Sequence, residues 1–182
     1  MSPAPAHFHL ADAGVRLDSM PVAGRDVNVS PTADERAAIA ARIGVSAVDS
    51  LAVTLHAVKF RGGIRVTGRL VATVTQPSVV TLEPVAQQIA EPIDRIFLPG
   101  GEKDFAGPAN AEVFVDLDGD ELPDHFEGNE ADLTDLIVET LALAVDLYPR
   151  GPGESLDDLG LRPDVEDESP FAALKALKPK QD

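Results

Sequence analysis

The feature that most constrains the fold is a regular alternation of apolar and polar side chains over residues 51–75. Side chains of a β-strand point to its two faces in turn, so a repeat of two residues is typical of a strand with one buried face. The pair Gly62-Gly63 interrupts the alternation and favours a tight turn with positive φ angles. The sequence therefore predicts a β-hairpin with Gly62 and Gly63 at its turn.

This predicted hairpin carries the main basic cluster of the chain. With a two-residue turn, Phe60 pairs with Arg65, and His56 pairs with Arg69. Guanidinium groups are suited to phosphate contacts, so these four residues are the candidate RNA-contacting residues. The alternative is that cations on a strand pair form the solvated face of a half-buried sheet, where they prevent aggregation.

Two further segments have helical patterns. The first begins after Thr32, which has capping-box spacing to Glu35, and Gly44 is suited to end it. The second covers residues 132–148, where apolar side chains recur at steps of three and four. More strands are predicted at 78–82, 85–98 and 112–117. The whole pattern indicates an α+β fold, with an antiparallel, hairpin-rich sheet or partial barrel and two main helices.

The end of the chain is predicted to lie outside this fold. We expect one α+β domain at residues 1–153 and a flexible acidic arm at 154–182, which is poor in apolar side chains. Within the arm, Phe171, Leu174 and Leu177 recur at every third position after a proline. This spacing predicts a short amphipathic segment that docks on its own domain or on another molecule.

The charge of the chain is concentrated in its second part. Residues 1–100 are electrically neutral, whereas residues 101–182 hold 22 acidic and six basic side chains and thus the whole net charge of −16. Such a surface repels phosphate backbones and attracts basic proteins. Four carboxylates that lie off the apolar stripe of the second predicted helix form the candidate partner-binding face: Asp132, Asp135, Glu139 and Asp146.

Composition and missing motifs exclude several classes of protein. The absence of cysteine excludes disulfides, thiolate metal sites and cysteine nucleophiles. The sequence contains no P-loop, no dinucleotide-binding fingerprint and no nucleophile elbow. It also has no run of apolar residues long enough to cross a membrane. We therefore expect a cytoplasmic, non-enzymatic protein without a cofactor, a membrane contact or a small-molecule substrate.

One acidic segment has the spacing of a calcium-binding loop. Its carboxylates fit the first, third, fifth, ninth and twelfth ligand positions: Asp116, Asp118, Asp120, Asp124 and Glu127. The sixth position, where such loops need glycine for a sharp turn, is Glu121. The alternatives are a cation site, which a metal-dependent enzyme could also use, and an acidic surface loop that binds no ion.

Several short motifs follow one another in a recognisable order. They are residues 34–40 (DERAAIA), 66–70 (VTGRL), 75–85 (TQPSVVTLEPV), 132–144, 148–150 (YPR) and 169–174 (SPFAAL). This order resembles the YceD family, the large ribosomal RNA subunit accumulation proteins. Many members of that family carry a C-x-R-C pair just before the Leu-Glu-Pro run. Its cysteine positions correspond to Ser78 and Thr81 here, so both thiols are absent.

The resemblance implies a ribosome-biogenesis factor that supports accumulation or processing of large-subunit ribosomal RNA (rRNA). The charge distribution adds the hypothesis that the acidic part binds a basic ribosomal protein or a pre-ribosomal particle, with a minor rRNA contact in the first half. Two alternatives remain open at this stage. One is a metal-dependent enzyme that uses residues 116–127, and the other is a regulatory interaction protein that acts through residues 169–178.

Overall fold

The computed structural model describes residues 8–100 and 123–154. Their elements are β1 Gly14–Arg16, β2 Arg25–Val29, α1 Ala33–Ile43, β3 Ala47–Phe60, β4 Gly63–Pro77, β5 Pro84–Pro99, β6 Asp124–Phe126, β7 Glu130–Asp132 and α2 Thr134–Ala144. One sheet has the strand order β2-β3-β4-β5-β6, and β1 pairs with β7 in a second sheet. Strand β1 pairs with β7, β2 with β3 and β3 with β4 in antiparallel fashion, whereas β5 and β6 are parallel. The predicted α+β fold is confirmed, and the sheets do not close into a barrel.

Strands β3 and β4 form the predicted hairpin, but the turn lies one residue earlier than predicted. Phe60 pairs with Gly63, so the turn residues are Arg61 and Gly62, with φ angles of 49° and 84°. Gly63 belongs to the strand, where a Cβ atom would lie 2.0 Å from the carbonyl oxygen of Phe97 on β5. The first glycine therefore serves the turn, and the second allows two backbones to approach closely.

The register of the hairpin consequently differs from the prediction. The observed pairs are Thr54 with Arg69, His56 with Thr67, and Val58 with Arg65. The predicted pairs of Phe60 with Arg65 and of His56 with Arg69 are wrong. Moving the turn by one residue shifts the partner of each β3 residue by two positions along β4. Because this shift is an even number, each side chain stays on its expected face of the sheet. All four residues of the basic cluster still share the open face.

Alternation along β3 and β4 separates a buried face of the sheet from this open face. Leu51, Val53 and Leu55 on β3 are at most 5% exposed, and Val66 and Leu70 on β4 are fully buried. The same core cluster contains residues from both helices: Ile39, Ala40, Leu136, Ile137, Val138 and Leu141. The helices therefore supply apolar side chains to the core, and the polar residues of both strands are left on the opposite face.

Helix α1 begins and ends where the sequence predicts. The Thr32 hydroxyl accepts a hydrogen bond from the Glu35 N–H at 3.3 Å, and the Glu35 carboxylate accepts one from the Thr32 N–H at 2.7 Å. Gly44 ends the helix with a φ angle of 77°, and its N–H donates to the carbonyl of Ala40. These contacts satisfy backbone groups that a helix leaves without partners at its ends.

Helix α2 begins later than the predicted segment. Asp132 belongs to β7, where it pairs with Gly14 of β1, and the helix starts at Thr134. Between them, the N–H of Leu133 donates to the carbonyl of Ala13 at 3.0 Å. Pairing with a distant strand therefore holds the backbone extended where the local apolar pattern favours a helix.

The same helix also ends earlier, because side chains of the sheet bind the backbone beyond it. Val145 is already extended, with a ψ angle of 130°. The N–H of Asp146 donates to the side-chain oxygen of Gln87, and the Asp146 carbonyl accepts from the side-chain amide of Gln76, both at 2.9 Å. These contacts replace the helical hydrogen bonds that the prediction required up to residue 148.

The predicted strand at residues 78–82 is wrong, because this segment is the turn between β4 and β5. The N–H of Leu82 donates to the Ser78 carbonyl at 3.0 Å, and Leu82 has a φ angle of 63°, outside the strand region. The next predicted strand, 85–98, is confirmed as β5. The predicted strand at 112–117 lies outside the described residues.

The chain divides into two compact units. Unit 1 contains Met1–Gln76 and Ala86–Leu147, and unit 2 contains Pro77–Val85 and Tyr148–Asp182. The domain boundary that the sequence indicates after residue 153 stays a prediction. In the described part of the chain, no helix has the length and apolar character needed to span a membrane.

Candidate functional site

Two of the four candidate partner-binding carboxylates share the exposed side of α2. One oxygen of Asp135 accepts a hydrogen bond of 2.9 Å from the guanidinium of Arg42 at the end of α1, and the Asp135 side chain remains 68% exposed. Glu139 is also exposed and follows four residues later, on the same side of the helix. Among the described residues, nothing binds the Glu139 carboxylate. The structure thus groups these two carboxylates.

The other two, Asp132 and Asp146, lie beyond the two ends of α2. The Asp132 carboxylate accepts a hydrogen bond of 2.9 Å from the Thr134 N–H and lies 2.8 Å from Nδ1 of His9. Burial tends to raise the pKa of Asp132, but the hydrogen bonds from Thr134 and His9 outweigh it and hold the pKa below its usual value. The Asp132 carboxylate therefore stabilises the start of the helix, and both of its oxygens already have partners within the chain.

In the candidate RNA-contacting cluster, carboxylates face two of the four residues. Arg65 donates two hydrogen bonds, of 2.9 and 2.6 Å, to Asp94 on β5. These bonds hold the pKa of Asp94 below its usual value, despite partial desolvation. Nδ1 of His56 lies 2.6 Å from the Asp26 carboxylate on β2. The open face thus offers phosphate less unpaired positive charge than the sequence suggests.

The remaining members of the cluster are Phe60 and Arg69. The guanidinium carbons of Arg61 and Arg65 lie 5.0 and 5.7 Å from the centre of the Phe60 ring, within the range of cation–π interactions. Arg69 is exposed, and within residues 8–100 and 123–154 it has no carboxylate partner. Of the two predicted arginines, Arg69 is therefore the one available to an anion.

The predicted calcium loop is described only at its end. Asp124 is the first residue of β6, and Glu127 follows that strand directly. The described ranges contain no group of three or more acidic or histidine side chains that could hold a metal ion. The other predicted ligands and the docking segment lie outside the described residues: Asp116, Asp118, Asp120, Phe171, Leu174 and Leu177. The cation site and the docking segment stay predictions.

Sequence reasoning missed a cluster of hydrogen bonds around Ser78 in unit 2. The fully buried Ser78 hydroxyl donates to the Glu154 carboxylate and accepts from the N–H groups of Val80 and Thr81, at 3.0 and 3.2 Å. The Thr81 hydroxyl donates to the second Glu154 oxygen at 2.6 Å. The Gly151 N–H donates to the first at 2.8 Å. Glu154 therefore joins the turn at 77–85 to the segment at 148–154.

The same contacts set the charge state of Glu154. Hydrogen bonds from Ser78, then from Thr81 and Gly151, hold its pKa below the usual value because they favour the ionised form. Ser78 and Thr81 stand where many members of the family that the sequence resembles carry cysteines. This alignment could have identified the cluster from the sequence, because both positions carry hydroxyl groups that can donate hydrogen bonds to the same acceptor.

The comparison with protein families gives a match over more than half of the chain. The family model described as "Large ribosomal RNA subunit accumulation protein YceD" matches residues 66–178, more than half of the chain. The match begins within β4 and includes β5, helix α2 and the cluster around Ser78. No curated protein and no solved structure matches the chain.

Proposed function

Because the chain belongs to the YceD family, we propose that it is a non-enzymatic ribosome-biogenesis factor that binds a basic protein of the large ribosomal subunit. The family name itself implies a role in accumulation of large-subunit rRNA. The choice of a basic protein as the partner rests on the charges of the chain. Its net charge of −16 attracts cationic proteins and opposes binding to a phosphate backbone.

One observation supports the choice of a basic protein. Two surfaces of unit 1 differ in whether their charged side chains already have partners. On α2, the Glu139 carboxylate is exposed, and no described residue binds it. On the open face of the sheet, Arg65 and His56 already lie against Asp94 and Asp26. A phosphate has to compete with these carboxylates, whereas a lysine or arginine of a protein has no described residue to displace from Glu139. A contact of rRNA with Arg69 is secondary in this proposal.

Binding of a basic protein gives a physical route to rRNA accumulation. Unassembled ribosomal proteins carry many cations, which bind phosphates of any sequence through release of counterions. An acidic carrier shields those cations until the specific rRNA site competes for the protein. The carrier itself leaves because its own charge repels the rRNA. No bond is made or broken in this cycle, so the proposal needs neither a catalytic residue nor a cofactor.

Deletion of the gene tests the proposed role. We expect the ratio of large-subunit to small-subunit rRNA to fall, and the tagged full-length chain to restore it while co-purifying with a basic large-subunit protein. An unchanged ratio in the deletion strain would overturn the proposal. If rRNA co-purifies with the chain, and no ribosomal protein stays bound once the RNA is digested with nuclease, then the partner is rRNA and not a protein.

A further inference from the structure

Helix α2 exposes a row of side chains that combines carboxylates with an apolar group. Asp135, Glu139 and Leu143 are four residues apart, so they lie along one ridge of the helix. Leu143 is 76% exposed, and Leu147, just beyond the helix, is 79% exposed. An exposed helix side normally carries polar residues. Exposed apolar patches that polar residues surround are instead typical of interaction surfaces.

A groove lies on each side of this row. The groove between α2 and β5 has a volume of about 430 Å³, and Ile93 and Leu136 are among its lining residues. The groove between α1 and α2 also has a volume of about 430 Å³, and Ile43 and Val138 line it. A ridge of every fourth residue with a groove on either side is the surface that interdigitates with a second helix.

The charges along the row favour a cationic partner. Glu139 is exposed at its centre, and the last turn of α2 contains no basic residue that would offset the negative end of the helix dipole. Two arginines line the grooves. Arg42 is paired with Asp135, and Arg95 is itself engaged in an interaction. Among the described residues, the charged group of the row that has no partner is therefore the Glu139 carboxylate.

We propose that this surface, the α2 ridge of Asp135, Glu139 and Leu143 together with Leu147 beyond the end of the helix, binds an amphipathic helix of a basic protein. Apolar side chains of that helix enter the two grooves beside Leu143. Its lysine or arginine side chains lie over Glu139 and the carboxyl end of α2. This inference rests on the proposed function and deepens it, because it names the surface used and the kind of segment that the partner supplies.

A synthetic peptide tests the inference in vitro. The probe is a fluorescent peptide of about five helical turns, with leucine along one side and lysine elsewhere. A peptide of the same composition without helical periodicity is the control probe. We expect Leu143→Asp in the full-length chain to weaken binding of the amphipathic peptide about tenfold, as for a central apolar anchor. Glu139→Lys should weaken it severalfold, and fluorescence anisotropy measures both changes.

Matched variants elsewhere in unit 1 are the controls. Val22→Asp introduces the same charge at a fully exposed apolar residue, and Asp12→Lys makes the same charge change as Glu139→Lys at another exposed carboxylate. Both should change the Kd by less than about twofold, as expected for surface sites outside an interface. Equal losses in the ridge and control variants, or equal binding of the two peptides, would overturn the inference. So would self-association through Leu143 without any peptide binding.

Complementation separates this inference from the proposed function. In a deletion strain with lowered large-subunit rRNA, the Leu143→Asp chain should fail to restore the rRNA, while the Val22→Asp chain restores it. Full restoration by a stably folded Leu143→Asp chain would overturn the α2 ridge as the binding surface and leave the role in rRNA accumulation intact. The absence of any rRNA change in the deletion strain overturns the role itself.

Discussion

Ser78 shows how much one buried hydroxyl can hold together. It is fully buried, donates to Glu154, and accepts from the backbone of Val80 and Thr81. We expect Ser78→Ala to accelerate hydrogen exchange of these two amides by about ten- to a hundredfold, because loss of a buried partner costs about 1–3 kcal/mol. Exchange monitored by NMR measures this effect. Ser50→Ala, at an exposed position, is the control.

Exchange rates at residues 80 and 81 that stay the same in the Ser78→Ala variant would contradict this account. They would mean that the turn retains its backbone conformation through the bond between the Ser78 N–H and the Glu83 carbonyl, 2.7 Å long. The hydroxyl would then only fill space, and the cluster would depend on the hydrogen bonds from Thr81 and Gly151 to Glu154.

The charge of Glu154 gives the same cluster a dependence on pH. Its pKa is lowered from the ordinary value of 4.5, chiefly by the hydrogen bond from Ser78, so the ionised carboxylate is favoured in the folded chain. The stabilising contribution is therefore present above pH 4.5 and is lost as the pH falls through the lowered pKa. An NMR titration should show this pKa rising in Ser78→Ala and unchanged in Ser50→Ala. A pKa insensitive to Ser78 would contradict the assigned cause.

At the scale of the elements, the two glycines of the hairpin have separable roles. Gly62→Ala places a Cβ atom at a φ angle of 84° in the turn, with open space around it, and should cost about 1 kcal/mol. Gly63→Ala forces a Cβ atom against the Phe97 carbonyl, which requires β4 and β5 to separate, and should cost about 2–4 kcal/mol. Urea denaturation measures both costs. The reverse order would contradict the observed register.

These elements also show how much of the fold the sequence can predict. The capping box of α1 and the alternation on β3 and β4 are local patterns, and both are confirmed. The local sequence does not determine the location of the turn, because Gly63 differs from Gly62 only in the close approach of β5. It does not determine the start of α2 either, because pairing with β1 holds Asp132 in a strand. Sequence reasoning failed where a distant strand decided the conformation.

The same limit applies to the candidate surfaces. Helical spacing placed Asp135 and Glu139 on one side of α2, and the structure agrees. In contrast, Arg65 was expected on the open sheet face, but nothing in the local sequence indicated that Asp94 would bind it from another strand. Spacing thus predicts which side chains share a face of an element. Ion pairs between elements depend on the register between neighbouring strands, and for β3 and β4 the sequence predicted that register incorrectly.

At the scale of the whole molecule, the neutral first part and the acidic second part of the sequence do not remain separate in space. Within the described ranges, Asp132 lies against His9, and Asp135 is bound by Arg42. The guanidinium of Arg42, in the first part, therefore offsets a carboxylate of the second part. Glu139 is one of the exposed carboxylates on unit 1 that no described residue binds, and the negative charge available to a partner there is smaller than the sequence total implies.

On the open sheet face, carboxylates likewise lie against basic side chains, and their removal tests RNA binding. Asp26→Asn together with Asp94→Asn removes the carboxylates that face His56 and Arg65. Asp12→Asn together with Asp34→Asn makes the same change in net charge at exposed positions elsewhere. If these two carboxylates are what keeps phosphate from the sheet face, the first double variant should bind polyuridylate about three- to tenfold more tightly than the second, with a steeper salt dependence. Filter binding at several salt concentrations measures the difference. Equal binding by the two variants would mean that only net charge governs the interaction with RNA, and that Arg65 and Arg69 form a solvated sheet face without a role in recognition.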